Sequence, residues 1–165
     1  MPAPLPVKKK EDGLRESPFE LALWVRGSLL GLAAGLVAVF AIALWLQPYD
    51  SLGRPERMAV HQQLGLPPCT FFTASGGVPC PSCGMTTSFA LLMHGDPWNS
   101  LRANWVGTLL ALFGVLLIPW ALVSALKGRL LFVRSFEVVL TRIVLGFVLL
   151  MIGRWAIVLA LAWRQ

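Results

Sequence analysis

WVGTLLALFGVLLIPWALVSAL, residues 105 to 126, runs its whole length without a single charge. As an α-helix at ~1.5 Å per residue it is about 33 Å long, enough to cross a hydrocarbon layer of about 30 Å. A run of this kind also suits the core of a globular domain, so the rest of the chain decides. Ser28 to Leu46 is a second charge-free stretch long enough to span, and Ile143 to Leu161 a third whose one charge is Arg154. Over the 165 residues, 56% are hydrophobic and only 13% charged, and the mean hydropathy is +0.70. A soluble domain of this size carries roughly twice that charge. The fold class expected is therefore all-α and integral to a membrane, with three transmembrane helices at 28–46, 105–126 and 143–161.

A net charge of +6 and a pI near 9.9 raise the question of nucleic acid. The basic residues do not form a separate face with interleaved aromatics, which excludes that class. They flank the spans instead. Lys8, Lys9, Lys10, Arg15 and Arg26 precede the first, and Lys127, Arg129, Arg134 and Arg142 fall in the 127–142 link, whereas the connection from Gln47 to Asn104 carries only Arg54, Arg57 and Arg102. The positive-inside rule then places the N-terminus and the link in the cytoplasm and the 47–104 segment outside. Cleavage after Ala41-Ile42-Ala43 would make the first span a leader, but the stretch ahead of the apolar run is long for one, and Leu44-Trp45-Leu46 continue the run.

Residues 1–17 join prolines and a lysine run to few large apolar groups, the composition of a disordered basic tail. Gly27, Gly31 and Gly35 form a small-residue ridge on the first span, the expected contact for a partner helix or a second copy of the chain. Trp45 and Trp105 stand at the outer ends of their spans as interfacial anchors, lipid being the other partner, and Pro119 is expected to kink the second span. Outside the membrane, Pro55 at a first turn and Gly65 as a C-cap outline a short helix. Met85 to His94 has helical spacing but is far too short to span, so it is an interfacial or re-entrant helix. Asp96-Pro97 then provides the N-cap and first turn of a helix running on into the second span.

Chemistry concentrates in VPCPSCGMTT, residues 78 to 87. With Cys69 upstream, the spacing is C-x10-C-x2-C, and all three thiols fall in the outward segment. Three sulfurs offer a thiophilic metal such as zinc three ligands. The fourth is not His94, which helical geometry sets roughly 15 Å from Cys83; His61 is the better-placed, weaker candidate. A redox pair needs a thiolate near a helix N-terminus, which Cys80-Pro81-Ser82-Cys83 has, although the βαβ context of a thioredoxin is missing. A disulfide that merely pins the loop is the third reading. His94 has the place of a helix-end residue bonded to a carbonyl, and Asn99, Arg102 and Asn104 are accounted for by interfacial solvation. Arg154 is either buried in the membrane with a partner or interfacial beyond Gly153.

Cys69-Thr70-Phe71, Gly77, Cys80-Pro81-Ser82-Cys83-Gly84-Met85-Thr86, His94-Gly95-Asp96 and Asn104 in this order resemble a bacterial membrane family catalogued as domain of unknown function 2752. That family joins an upstream cysteine, a CPxCGxTR motif and an HGD to an apolar helix, and the resemblance covers roughly residues 65–126. Thr87 stands in place of the usual arginine, and Trp105 where proline often follows the asparagine. The resemblance implies a protein of the bacterial inner membrane and no particular activity. Two functions remain open: a thiol-based site, metal-binding or redox, at Cys69, Cys80 and Cys83, or a scaffold subunit whose cysteines only hold the loop.

Overall fold

Leucine, valine, alanine and isoleucine in long uncharged runs leave the backbone one stable solution in an apolar solvent, the helix, which satisfies its own N–H and C=O groups. The computed structural model describes residues 23–129 and 136–162. They form five α-helices and no strand: α1 (Leu23–Trp45), α2 (Thr70–Ala74), α3 (Met85–Met93), α4 (Pro97–Lys127) and α5 (Phe136–Ala162), with a 3-10 turn at Val60–Leu64. α1, α4 and the Val138–Leu161 stretch of α5 are long and apolar enough to cross a membrane. The expected tail 1–17 and the middle of the expected 127–142 link lie outside the described residues.

α1 and α4 pack antiparallel. Leu29 and Ala33 meet Ala121 and Ala125 at one end, where Arg26 Nε also donates to the Ala125 carbonyl at 2.9 Å. Farther along, Phe40 lies so close to Gly114 that a Cβ there would be 3.1 Å from the ring. Small residues thus let the two backbones approach, as expected where lipid gives helices no hydrophobic reason to associate. The Gly27, Gly31, Gly35 ridge is not the face used: it is exposed, and nothing lies within 4 Å of a Cβ built on any of the three.

α3 is the short helix anticipated after the CPSC loop, and it enters the bundle. It packs between α1 and α4, with Phe89 stacked on Phe40 at 5.8 Å and Ala90 buried with Leu46 and Val60. Its first residue, Met85, lies against Gly107, whereas its last turn is joined through Gly95 to Asp96, whose carboxylate caps α4 through the Asn99 N–H at 3.1 Å. The loop ahead of α3 is therefore carried back from the elbow toward the bundle. α4 spans 31 residues, or about 46 Å. Measured from Lys127, a hydrocarbon layer of about 30 Å ends near Gly107. The CPSC loop thus lies near the level of Gly107, set back from the elbow by the length of α3, about 13 Å.

Two expectations need correction. Pro55 does not open a helix; it pairs with Tyr49 in an isolated antiparallel bridge, tied by Asp50 and Arg54 at 2.8 Å, and the turn starts only at Val60. Gly65 does cap that turn, in the left-handed region at φ 76. α4 breaks at Asn104, its one non-helical residue, at φ −159 and ψ 99. Asn104 is not solvated at an interface: it is 1% exposed.

Candidate thiol site

The site is built from two turns and a helix break. Cys69 precedes α2, and its carbonyl accepts from Thr73 N at 3.1 Å. Cys80-Pro81-Ser82-Cys83 closes a tight turn, with Cys83 N donating to the Cys80 carbonyl at 3.1 Å and Cys80 N donating to Cys83 Sγ at 3.2 Å. Gly84 follows at φ 82 as the residue before α3. A Cβ there would lie 2.8 Å from the carbonyl oxygens of both Ala103 and Arg57. Only glycine meets the positive φ and that close approach together.

The Asn104 break receives this turn. Its Nδ2 donates to the Cys83 carbonyl at 3.2 Å, while its Oδ1 accepts from Gly107 N at 3.1 Å. Ser100 Oγ donates to the Ser88 carbonyl at 2.7 Å and lies 2.7 Å from Thr108 Oγ1. Breaking α4 at Asn104 releases the Ala103 carbonyl, which Arg154 Nη2 on α5 engages at 3.1 Å; Nη1 donates to the Pro81 carbonyl at 3.4 Å. Next to it, Trp155 Nε1 donates to the Pro79 carbonyl at 3.0 Å and its ring meets Phe71 edge-on at 6.0 Å. Arg154 is therefore half-buried with backbone partners on the thiol loop.

The three cysteines are free thiols, and all three sulfurs lie within 4.8 Å of one another. Cys80 Sγ and Cys83 Sγ are 3.0 Å apart. Burial raises both thiols, but Cys80 also receives hydrogen bonds from Cys83, Ser82 and Cys69, which outweigh burial and lower it to about 7. Burial together with the bond donated to Cys80 pushes Cys83 up to about 12. Of the CPSC pair, Cys80 is thus the first to become thiolate.

His61 borders the same cavity as the three cysteines, but it is outside the group whose ligand atoms converge within 4.8 Å. His94 is elsewhere, its Nδ1 2.9 Å from the Ala90 carbonyl in the last turn of α3. Thr87, 1% exposed, borders the cavity with Oγ1 unpartnered among the described residues. Sequence reasoning misses Asn104, Thr87 and Trp155 as parts of the site. A lone charge in the third span is the one available signal that α5 is tied to polar groups.

Three membrane-length helices, with a short helix folded back between two of them to bring three thiols together, define a multi-pass membrane protein with a sulfur-rich centre. Residues 69–118, which hold all three cysteines, α3 and the Asn104 break, match the family described as "Protein of unknown function (DUF2752)". α1 and α5 lie outside the match, and with α5 the residues that hold the Pro79 and Pro81 carbonyls. No curated protein and no solved structure matches the chain.

Proposed function

We propose that the chain binds one soft divalent metal ion, of which zinc is the type, through Cys69, Cys80 and Cys83 on the outer side of the bacterial inner membrane. The observation that carries this reading is the third thiol. A disulfide or a dithiol redox pair uses two sulfurs, and nothing in either requires Cys69 to be brought from well upstream, ahead of α2, into the same 4.8 Å group. A metal ion requires it. Sulfur ligands at about 2.3 Å from zinc in tetrahedral geometry are about 3.8 Å apart. The present separations are 3.0 Å for one pair and up to 4.8 Å overall. They bracket that value, so loading needs shifts of less than about 1 Å per sulfur. Arg154 supports the same reading. Three thiolates around a divalent ion carry a net charge of −1, and a guanidinium fixed on the loop is its counter-charge in a medium where an isolated ion is costly.

One observation favours a second reading. The split of Cys80 to about 7 and Cys83 to about 12 is that of an attacking thiol and its resolving neighbour. Metal analysis of protein purified under reducing conditions separates the two. Metal binding gives about one ion per chain, lost on replacing any of the three cysteines by serine. Redox exchange gives no metal, a reducible Cys80–Cys83 bond, and a Cys69→Ser variant that still cycles. A metal-free protein whose three serine variants all behave as the parent would instead support a scaffold held by its loop.

A further inference from the structure

The three sulfurs form one wall of a cavity of about 560 Å³, a volume in the range of sites that enclose small organic molecules. Its rim is exposed at Gln62, Leu66 and Thr73, and its walls include Met58, Phe72 and Met85. Among the described residues no histidine, carboxylate or further cysteine joins the three-thiol group. A zinc site with four protein ligands is closed, whereas one with three keeps a position for something else. Here the three cysteines line the cavity, so such a position would open onto it. Among the described residues the buried Thr87 hydroxyl, which borders the same space, has no partner, and a buried hydroxyl left unpaired has lost its water without compensation.

We propose that this cavity binds a small apolar organic thiol, whose sulfur completes the coordination of the metal and accepts a hydrogen bond from Thr87 Oγ1. The inference rests on the metal-binding reading above. Sulfur is the donor matched to a metal already held by sulfur, and the methionine and phenylalanine walls accept a polarisable apolar body. The thiol enters as thiolate: its S–H proton goes to bulk water, and the new metal–sulfur bond displaces a metal-bound water. No electron is transferred. His61, at the cavity wall, stays off the metal.

The test uses full-length protein in detergent, loaded with cobalt(II), whose sulfur-to-metal charge-transfer band reports each added thiolate, and thiophenol as the probe. The expected result is one cobalt per chain, a band that strengthens saturably with thiophenol, and a resting spectrum identical in His61→Ala. Thr87→Val lowers thiophenol affinity about 5- to 10-fold, the size of one lost hydrogen bond, with cobalt stoichiometry unchanged. Leu66→Trp fills the rim from an exposed position and abolishes the thiophenol response; it decides the matter if Thr87→Val does not fold. A cobalt band indifferent to thiophenol, loss of cobalt to thiophenol, a resting spectrum altered by His61→Ala, or unchanged affinity in Leu66→Trp each overturns the proposal while the metal site stands. Failure to bind cobalt at all overturns the metal reading itself.

Discussion

Gly84 and Cys80 show how single residues set this site. A side chain at Gly84 meets two carbonyl oxygens at 2.8 Å with φ at 82. Neither oxygen belongs to a side chain that could swing away, since both are backbone, one of them at the α4 break. Gly84→Ala is expected to cost ~2–4 kcal/mol, combining left-handed strain with a shift of the α3–α4 contact. Its thermal midpoint in detergent should fall by several degrees, and metal content with it. Cys80 gives a pH dependence. The thiolate is the reactive form, and the cluster lowers Cys80 to about 7 while Cys83 stands near 12. In reduced, metal-stripped protein, alkylation of Cys80 should therefore rise about tenfold from pH 5 to 6, bend near 7 and level off above 8, with Cys83 slow throughout. Cys83→Ala removes the hydrogen bond that favours the Cys80 thiolate, so the bend should move to higher pH. Site-resolved mass spectrometry reads both curves, and equal rates for Cys80 and Cys83 at pH 7 would contradict the arrangement of donors described above.

Among the three membrane-length helices, α5 is the least buried and the most consequential for the loop. None of the most apolar stretch of α5 is buried in the chain, and its side-chain links to the rest include the Phe113–Phe147 contact at 5.9 Å and the Arg154 and Trp155 bonds to the loop and the α4 break. Hydrogen bonds from a charged donor are worth about 1.5–3 kcal/mol each, so the Pro81 and Ala103 carbonyls tie Arg154, and α5 with it, to the loop and the α4 break. Arg154→Met should leave the Pro81 and Ala103 carbonyls without this donor and speed amide exchange at Cys83 and Met85 about tenfold or more, with the α1–α4 contact at Ala33 and Ala121 unchanged. Arg154→Lys, which keeps the charge but not the fork, should fall between. The three long helices, the short helix after the CPSC turn and the Asp96 cap are legible in the sequence, because apolar run length and Asp-Pro are local signals. Spacing alone leaves the convergence of the thiols open. α2, the break at Asn104 and the reach of Arg154 and Trp155 over 51 to 76 residues are not legible, because each depends on what a residue meets across the fold. Asn104 reads as a solvated polar residue because its neighbours in sequence are those of a helix end. Its distant partner, the Cys83 carbonyl, is met only once α3 folds back.

At the scale of the whole molecule, lysine and arginine are more numerous ahead of the first span and in the 127–142 link than in the 47–104 segment that carries the thiols. Arg26, bonded to the Ala125 carbonyl, shares an end with Lys127 and Arg129, and Arg142 enters α5 from the same side. At the thiol end Arg54 is neutralised by Asp50 and Arg102 lies over the Trp98 ring at 5.1 Å. Lysine and arginine resist translocation, so the end with more of them is expected to stay in the cytoplasm. An odd number of crossings puts the two termini on opposite faces. The prediction is therefore that a reporter active only in the cytoplasm works when fused to the N-terminus and fails at the C-terminus, and that one requiring export does the reverse. The thiol cavity then opens away from the cytoplasm through the rim at Gln62, Leu66 and Thr73. A membrane-impermeant maleimide added to intact spheroplasts after chelation should label Cys80 before the cells are opened. Labelling that begins only after lysis, together with an active cytoplasmic reporter at the C-terminus, would invert the molecule. The metal would then be drawn from the cytoplasmic pool, and the basic residues around Lys127 would face outward against the charge rule.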